Sequence, residues 1–108
     1  MTPPTDPARP QGRYHPRVDA NWMVQVHLGE RRVLVKALDL SMAGLFLQGH
    51  PEDAVRRLTL TLPLPGVGDI TTTCCIVRRE AHGVAVEFDE LDWDHLLLLA
   101  RYLHPRLP

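Results

Sequence analysis

Cysteine is scarce in this chain: there are two, and they are neighbours, Cys74-Cys75. Consecutive side chains of a strand leave opposite faces, and a disulfide between neighbours is strained, so both thiols read as reduced, one of them in the core. No CxxC pair is present, so neither a zinc ribbon nor a thioredoxin-like redox site is indicated, and reduced thiols fit a cytoplasmic protein. Long apolar runs are missing too. The longest, Leu96 to Ala100, is a piece of one helix and far short of the roughly 20 residues a membrane span needs. Met1-Thr2-Pro3-Pro4 opens without an apolar segment, so no signal peptide is expected. Charge of one sign is lacking: Lys+Arg 12 face Asp+Glu 13, a net -1, which excludes a whole-surface attraction for nucleic acid or anionic membrane. Aromatics are 6 % of residues and form no stripe along a strand, which argues against a single-stranded DNA or RNA binder.

Catalytic signatures are absent as well. There is no GxSxG, no glycine-rich phosphate loop before a helix, and no pair of carboxylates with reason to stand together beyond an acidic helix start. The six histidines, His15, His27, His50, His82, His95 and His104, contain no HxxxH or HExxH spacing. The expectation is a binding module: no enzyme, no metal, no cofactor.

What is present is one domain's worth of sequence, 108 residues at 44 % apolar. Residues 1–12 carry Pro3, Pro4, Pro7 and Pro10 with almost no apolar side chains, and are expected to form a flexible arm. The arm is basic: Arg9, Arg13 and Arg17 stand against Asp6 alone. From Asn21 the period becomes two, with Trp22, Val24, Val26 and Leu28 on one face. Gly29-Glu30 signals a turn. Further strands are predicted over Arg32 to Leu38, Leu45 to Gln48, Val55 to Leu62, Asp69 to Arg79 and Gly83 to Phe88, the last with Val84, Val86 and Phe88 inward. Pro63 to Gly68 is read as a connection. Asp92 is an N-cap for a helix over about 92–104, with Trp93, Leu96, Leu97, Ala100 and Leu103 at helical spacing and Pro105 as its stop. Trp93 and most of the leucine run read as core. Leu96 to Leu99 cannot all share one face, which leaves Leu98 or Leu99 as a partner or homodimer contact. Six strands at regular spacing predict an all-β fold, a closed antiparallel barrel near 20–88 with a C-terminal α-helix; residues 105–108 are a tail.

The stretch with most chemistry is Asp39-Leu40-Ser41-Met42-Ala43-Gly44, at a turn between strands. Asp39 accepts two hydrogen bonds side by side and Ser41 both donates and accepts. Gly44 permits a positive φ or a close approach to ligand. Arg13-Tyr14-His15-Pro16-Arg17 adds two guanidinium forks, and Pro16 keeps them off a helical face. Singly, each has a plain reading: a solvated basic arm, turn formers bonding their own backbone, a turn glycine. Together, a carboxylate fork and two guanidinium forks suit a guanine nucleotide with phosphates.

The pair RxxxR, here Arg13 and Arg17, followed by DxSxxG, here Asp39, Ser41 and Gly44, resembles the signature of the PilZ domain family. The closing stretch His82 to Phe88 with the acidic helix start is similar as well, and the resemblance covers residues 13–104. It implies a six-stranded barrel with a C-terminal helix, here in a stand-alone, single-domain bacterial member. It also implies a receptor for the second messenger cyclic dimeric GMP (c-di-GMP), with Arg13, Arg17, Asp39, Ser41 and Gly44 binding its guanines and phosphates. Gly12, before the first arginine, leaves room for one ligand molecule or an intercalated pair. With no attached output domain, such a receptor acts on an unidentified protein effector when its arm orders around ligand, as a monomer or homodimer. The alternative is a ligand-independent adaptor of the same fold in motility or secretion.

Overall fold

The computed structural model describes residues 16–106. The arm expected over 1–12, Arg13 with its neighbours to His15, and the last two residues of the tail lie outside the described residues. Six antiparallel strands follow one another: β1 (Val18–Leu28), β2 (Arg31–Leu40), β3 (Gly44–Gln48), β4 (Arg57–Leu64), β5 (Gly68–Glu80) and β6 (Gly83–Phe88). Hydrogen bonding runs β1-β2-β3-β6-β5-β4 and closes on itself, so the expected barrel is found. Closure is short, through Gln25↔Thr61, Val26↔Leu60 and His27↔Thr59, and a hydrogen bond between His27 Nε2 and Thr61 Oγ1 (2.9 Å) crosses the same seam.

Alternation explains which faces meet. Leu58, Leu60, Leu62 and Leu64 of β4 are buried while Thr59, Thr61 and Pro63 between them are not. They pack inside against Val24, Val26, Leu45, Ile70, Cys74 and Val86. Each fully buried Leu or Ile contributes on the order of 2 kcal/mol of apolar burial.

Several boundaries differ from those the sequence suggested, each for a local reason. β1 begins at Val18, before Asn21, because a bulge between Asp19 and Trp22, with Asn21 at φ 59, interrupts the period without ending the strand. β4 starts at Arg57 and runs through Pro63 to Leu64, opposite Asp69 and Gly68. Beyond Thr61 it has no β1 partner, and a strand paired on one side tolerates a residue without an N–H. β2 extends through Asp39 and Leu40, so Asp39 is a strand residue and not part of the turn.

Helix α1 (Trp93–Leu103) begins as expected, with the Asp92 carboxylate accepting from His95 N at 2.8 Å. Its buried side chains are Leu99, Tyr102 and Leu103. The reading of Trp93 as core, and of Leu98 or Leu99 as the spare leucine, is corrected. Trp93 is 72 % exposed and Leu97 47 % exposed, while Leu99 is fully buried and Leu98 lies 3.7 Å from where a Cβ on Gly68 would stand. The helix docks through its C-terminal half on the β4–β5 end. Tyr102 meets Trp22 edge-on (ring centroids 6.2 Å) and Trp22 Nε1 donates to its hydroxyl at 3.3 Å, which rotates the buried stripe away from Trp93. A 3-10 turn over His104–Arg106 follows; Arg106 lies 3.9 Å over the Tyr102 ring. No helix among the described residues is long and apolar enough to cross a membrane.

Candidate functional site

The turn between β2 and β3 is Ser41-Met42-Ala43, held from within. Ser41 is 3 % exposed. Its Oγ accepts from Ala43 N (3.1 Å) and Gly44 N (3.3 Å) and donates to the Gly44 carbonyl at 3.4 Å, while Ser41 N donates to that carbonyl at 2.8 Å. Phe88 N donates to the Ala43 carbonyl at 2.9 Å, tying the turn to the end of β6. The hydroxyl is therefore a brace of the turn. Gly44 is structural in a second sense. A Cβ there would stand 1.9 Å from the Val86 carbonyl oxygen and 2.8 Å from Glu87 Cα, so its missing side chain serves the close approach of β3 to β6. It has no positive φ, contrary to one expectation from the sequence.

Asp39 reaches the outer wall of the barrel through a bulge. Ala37 pairs with Leu47 and Asp39 with Phe46, so Leu38 is the extra residue. Arg17, just before β1, donates from Nη1 to Asp39 Oδ1 at 2.7 Å, with side chains 24 % and 27 % exposed. The two motifs thus meet in one ion pair. Arg17 Nε is buried and has no hydrogen-bond partner among the described residues. The two groups suit a ligand with both characters: the guanidinium, with donors to spare, suits an anionic or hydrogen-bond-accepting part, and the carboxylate, with one oxygen unengaged by it, suits a hydrogen-bond-donating part.

Two depressions flank this pair. One, of about 720 Å³, is lined by Arg17, the Ser41–Gly44 turn, Val77, Arg78, and the stretch from Ala85 to Leu91. The other, of about 310 Å³, is lined by Arg17, Leu38, Asp39, Phe46, Arg78, Glu80 and His82. Of the sequence-predicted residues the first holds Ser41 and Gly44 and the second Asp39, and Arg17 lines both. Arg78, Glu80 and His82 were not singled out by sequence. Arg78 Nε donates to Glu80, whose carboxyl falls below its usual range chiefly through that hydrogen bond. His82 stands edge-on to Phe46, ring centroids 6.4 Å apart.

Neither thiol is an activated nucleophile. Burial pushes Cys74 up to about 12, and a hydrogen bond to Asp89 raises Cys75. Among the described residues no cluster of His, Cys, Asp or Glu could hold a metal ion.

Comparison with known proteins identifies the family and the fold. The family model described as PilZ domain matches residues 11–104. Among solved structures, that of the Bacillus subtilis inhibitor of motility (MotI/DgrA) superposes with a TM-score of 0.72 at 21 % identity, covering 89 % of this chain and 51 % of the other, so this chain spans about half the length of that one. The PilZ domain with c-di-GMP of YcgR from Escherichia coli superposes with a TM-score of 0.70 at 13 % identity, covering 89 % of this chain and 92 % of that one. No curated protein matches the sequence.

Proposed function

Because the chain belongs to the PilZ domain family, we propose that it is a receptor for c-di-GMP, bound on the outer barrel wall around Arg17 and Asp39. The observation that carries this is the 2.7 Å pair between them, which joins the arm motif to the strand motif beside two depressions. Asp39 accepts from N1–H and the N2 amino group of a guanine, a donor pair adenine does not offer. Arg17 retains donors for guanine O6 and N7 or for phosphate oxygens, and its flat face can stack on a purine. Arg13 adds a second fork from the segment before β1. Ser41 and Gly44 serve the ligand by shaping the turn that lines the larger depression, and the backbone there is what ligand meets. The YcgR domain solved with c-di-GMP supports the choice of ligand.

Binding is read out by a partner protein in this proposal. The segment through Arg17 closes on ligand and alters the wall near Ser41–Gly44. Calorimetric titration of c-di-GMP into the native protein and into Arg13→Ala/Arg17→Ala tests it. Binding by the first and not the second supports the receptor. A folded native protein that gives no heat at high ligand concentration rejects it. Hydrogen exchange at ligand saturation tests the closure: rising protection through Arg17 is expected, and unchanged protection rejects that step.

A second reading, a ligand-independent protein–protein adaptor in motility or secretion, is favoured by one observation. Trp93 and Leu97, four residues apart on α1, share an exposed apolar face. It takes precedence if the titration fails.

A further inference from the structure

Arg78 belongs to neither sequence motif, yet it stands on the same cross-strand row as Asp39. Asp39 of β2 pairs with Phe46 of β3, Phe46 with Ala85 of β6, and Ala85 with Arg78 of β5. Three strand spacings of about 4.8 Å put the two residues roughly 14 Å apart along the outer wall. A bulge makes this possible. Ile76 pairs with Val86 and Arg78 with Ala85, so Val77 is the extra residue. Without it Arg78 would oppose Val84, whose side chain is in the core. The bulge at Leu38 does the same for Asp39. A one-residue insertion reverses the facing of all that follows, so both charges reach this wall by the same device.

Arg78 and Arg17 are the two residues lining both depressions around the site. Each is held by a carboxylate on the same wall, Arg17 by Asp39 and Arg78 by Glu80. The Arg78–Glu80 pair is more open, with side chains 47 % and 39 % exposed, and is the easier of the two to exchange for another anion. Arg79, the next residue, differs. It donates to the carbonyls of Pro51 (2.9 Å), Glu52 (3.2 Å) and Val55 (2.7 Å) and so fastens the β3–β4 connection. Arg78 makes no such backbone bonds, and the fold does not explain its presence.

We infer that Arg78 contacts an anionic phosphodiester of the bound ligand, and that Glu80 competes with the ligand for it, holding the unliganded site closed. This rests on the proposed c-di-GMP reading and deepens it. A cyclic dinucleotide carries two phosphodiesters, and guanidinium groups at Arg17 and at Arg78 supply cations at two positions along one wall. Glu80 has two effects: it occupies the Arg78 fork, and its charge repels the incoming phosphate.

The test is calorimetric titration of c-di-GMP into the full chain and into Arg78→Ala, Arg78→Lys, Glu80→Gln and Arg31→Ala. Arg31 is exposed at the far end of the β1–β2 hairpin and controls for net charge. Arg78→Ala is expected to weaken binding about 10-fold or more, and Arg78→Lys to recover part of the loss. Glu80→Gln is expected to tighten binding several-fold, a gain that a merely structural pair would not produce. Arg31→Ala is expected to match the native protein. Unchanged affinity in Arg78→Ala or in Glu80→Gln overturns this inference and leaves the receptor reading standing. No binding by folded native protein overturns both.

Discussion

Arg17 Nη1 lies 2.7 Å from Asp39 Oδ1, an ion pair between residues 22 apart that closes the gap between the segment entering β1 and the end of β2. Asp39→Asn keeps the shape and removes the charge. Because both side chains are partly exposed, the expected stability loss is about 1 kcal/mol or less. The expected loss of c-di-GMP affinity is larger, about 10-fold or more, since a charge-assisted acceptor to guanine goes with it. Urea melts beside titrations with c-di-GMP and its adenine counterpart check this. A stability loss without an affinity loss would make the pair purely structural.

Gly44 and Ser41 should behave as structural residues. A Cβ at Gly44 would meet the Val86 carbonyl oxygen at 1.9 Å, so Gly44→Ala must part β3 from β6. A cost on the order of 3 kcal/mol is expected, at the upper end for overpacking. Ser41→Ala removes the acceptor of two backbone N–H groups and should cost roughly 1–3 kcal/mol. Urea midpoints without ligand are the measurement. Native midpoints for both variants would return these residues to direct ligand contact.

On α1, truncation should separate neighbours. Leu99 is fully buried, and Leu99→Ala is expected to cost about 2–5 kcal/mol. Leu97→Ala and Trp93→Ala should stay within about 0.5 kcal/mol, as surface substitutions do. Thermal melts of the three variants decide. A large loss from Trp93→Ala would contradict the docking seen here.

Cys74 predicts alkaline lability. Its folded thiol is pushed up to about 12 by burial, above the ordinary thiol range, so the native state holds this proton more tightly than the unfolded chain. Stability from this group is complete below about pH 8.5 and declines as pH rises toward 12, by at most about 1.4 kcal/mol per pH unit. Urea midpoints of native protein and Cys74→Ala between pH 8 and 11 check the sign: the native slope should be the steeper. In native protein at pH 8, Cys74 should also resist alkylation until denaturant is added.

Much of the molecule was readable from local pattern. The period-two runs and the cap at Asp92 are properties of neighbouring residues, and strand and helix formation obey neighbours first. Boundaries failed where pairing overrides period. The bulge beside Asn21 hid the start of β1, and the one-sided pairing of β4 admitted Pro63. That Gly44 must lack a side chain because of the Val86 backbone, 42 residues on in sequence and under 2 Å from an added Cβ, has no local signal.

Read locally, the chain already shows six strands and a capped helix, and it carries two arginines and an Asp-Ser-Gly group of the PilZ kind. These follow from short-range periodicity and spacing, which survive without knowledge of contacts. The pairing of Arg17 with Asp39, the bracing of its own turn by Ser41 and the outward facing of Trp93 emerge only in the folded structure. It alone brought Arg78 onto the wall with Asp39. Register is the cause: a single extra residue at Leu38 or Val77 reverses which face a side chain takes, and no local signal marks where a strand's partner will demand that residue.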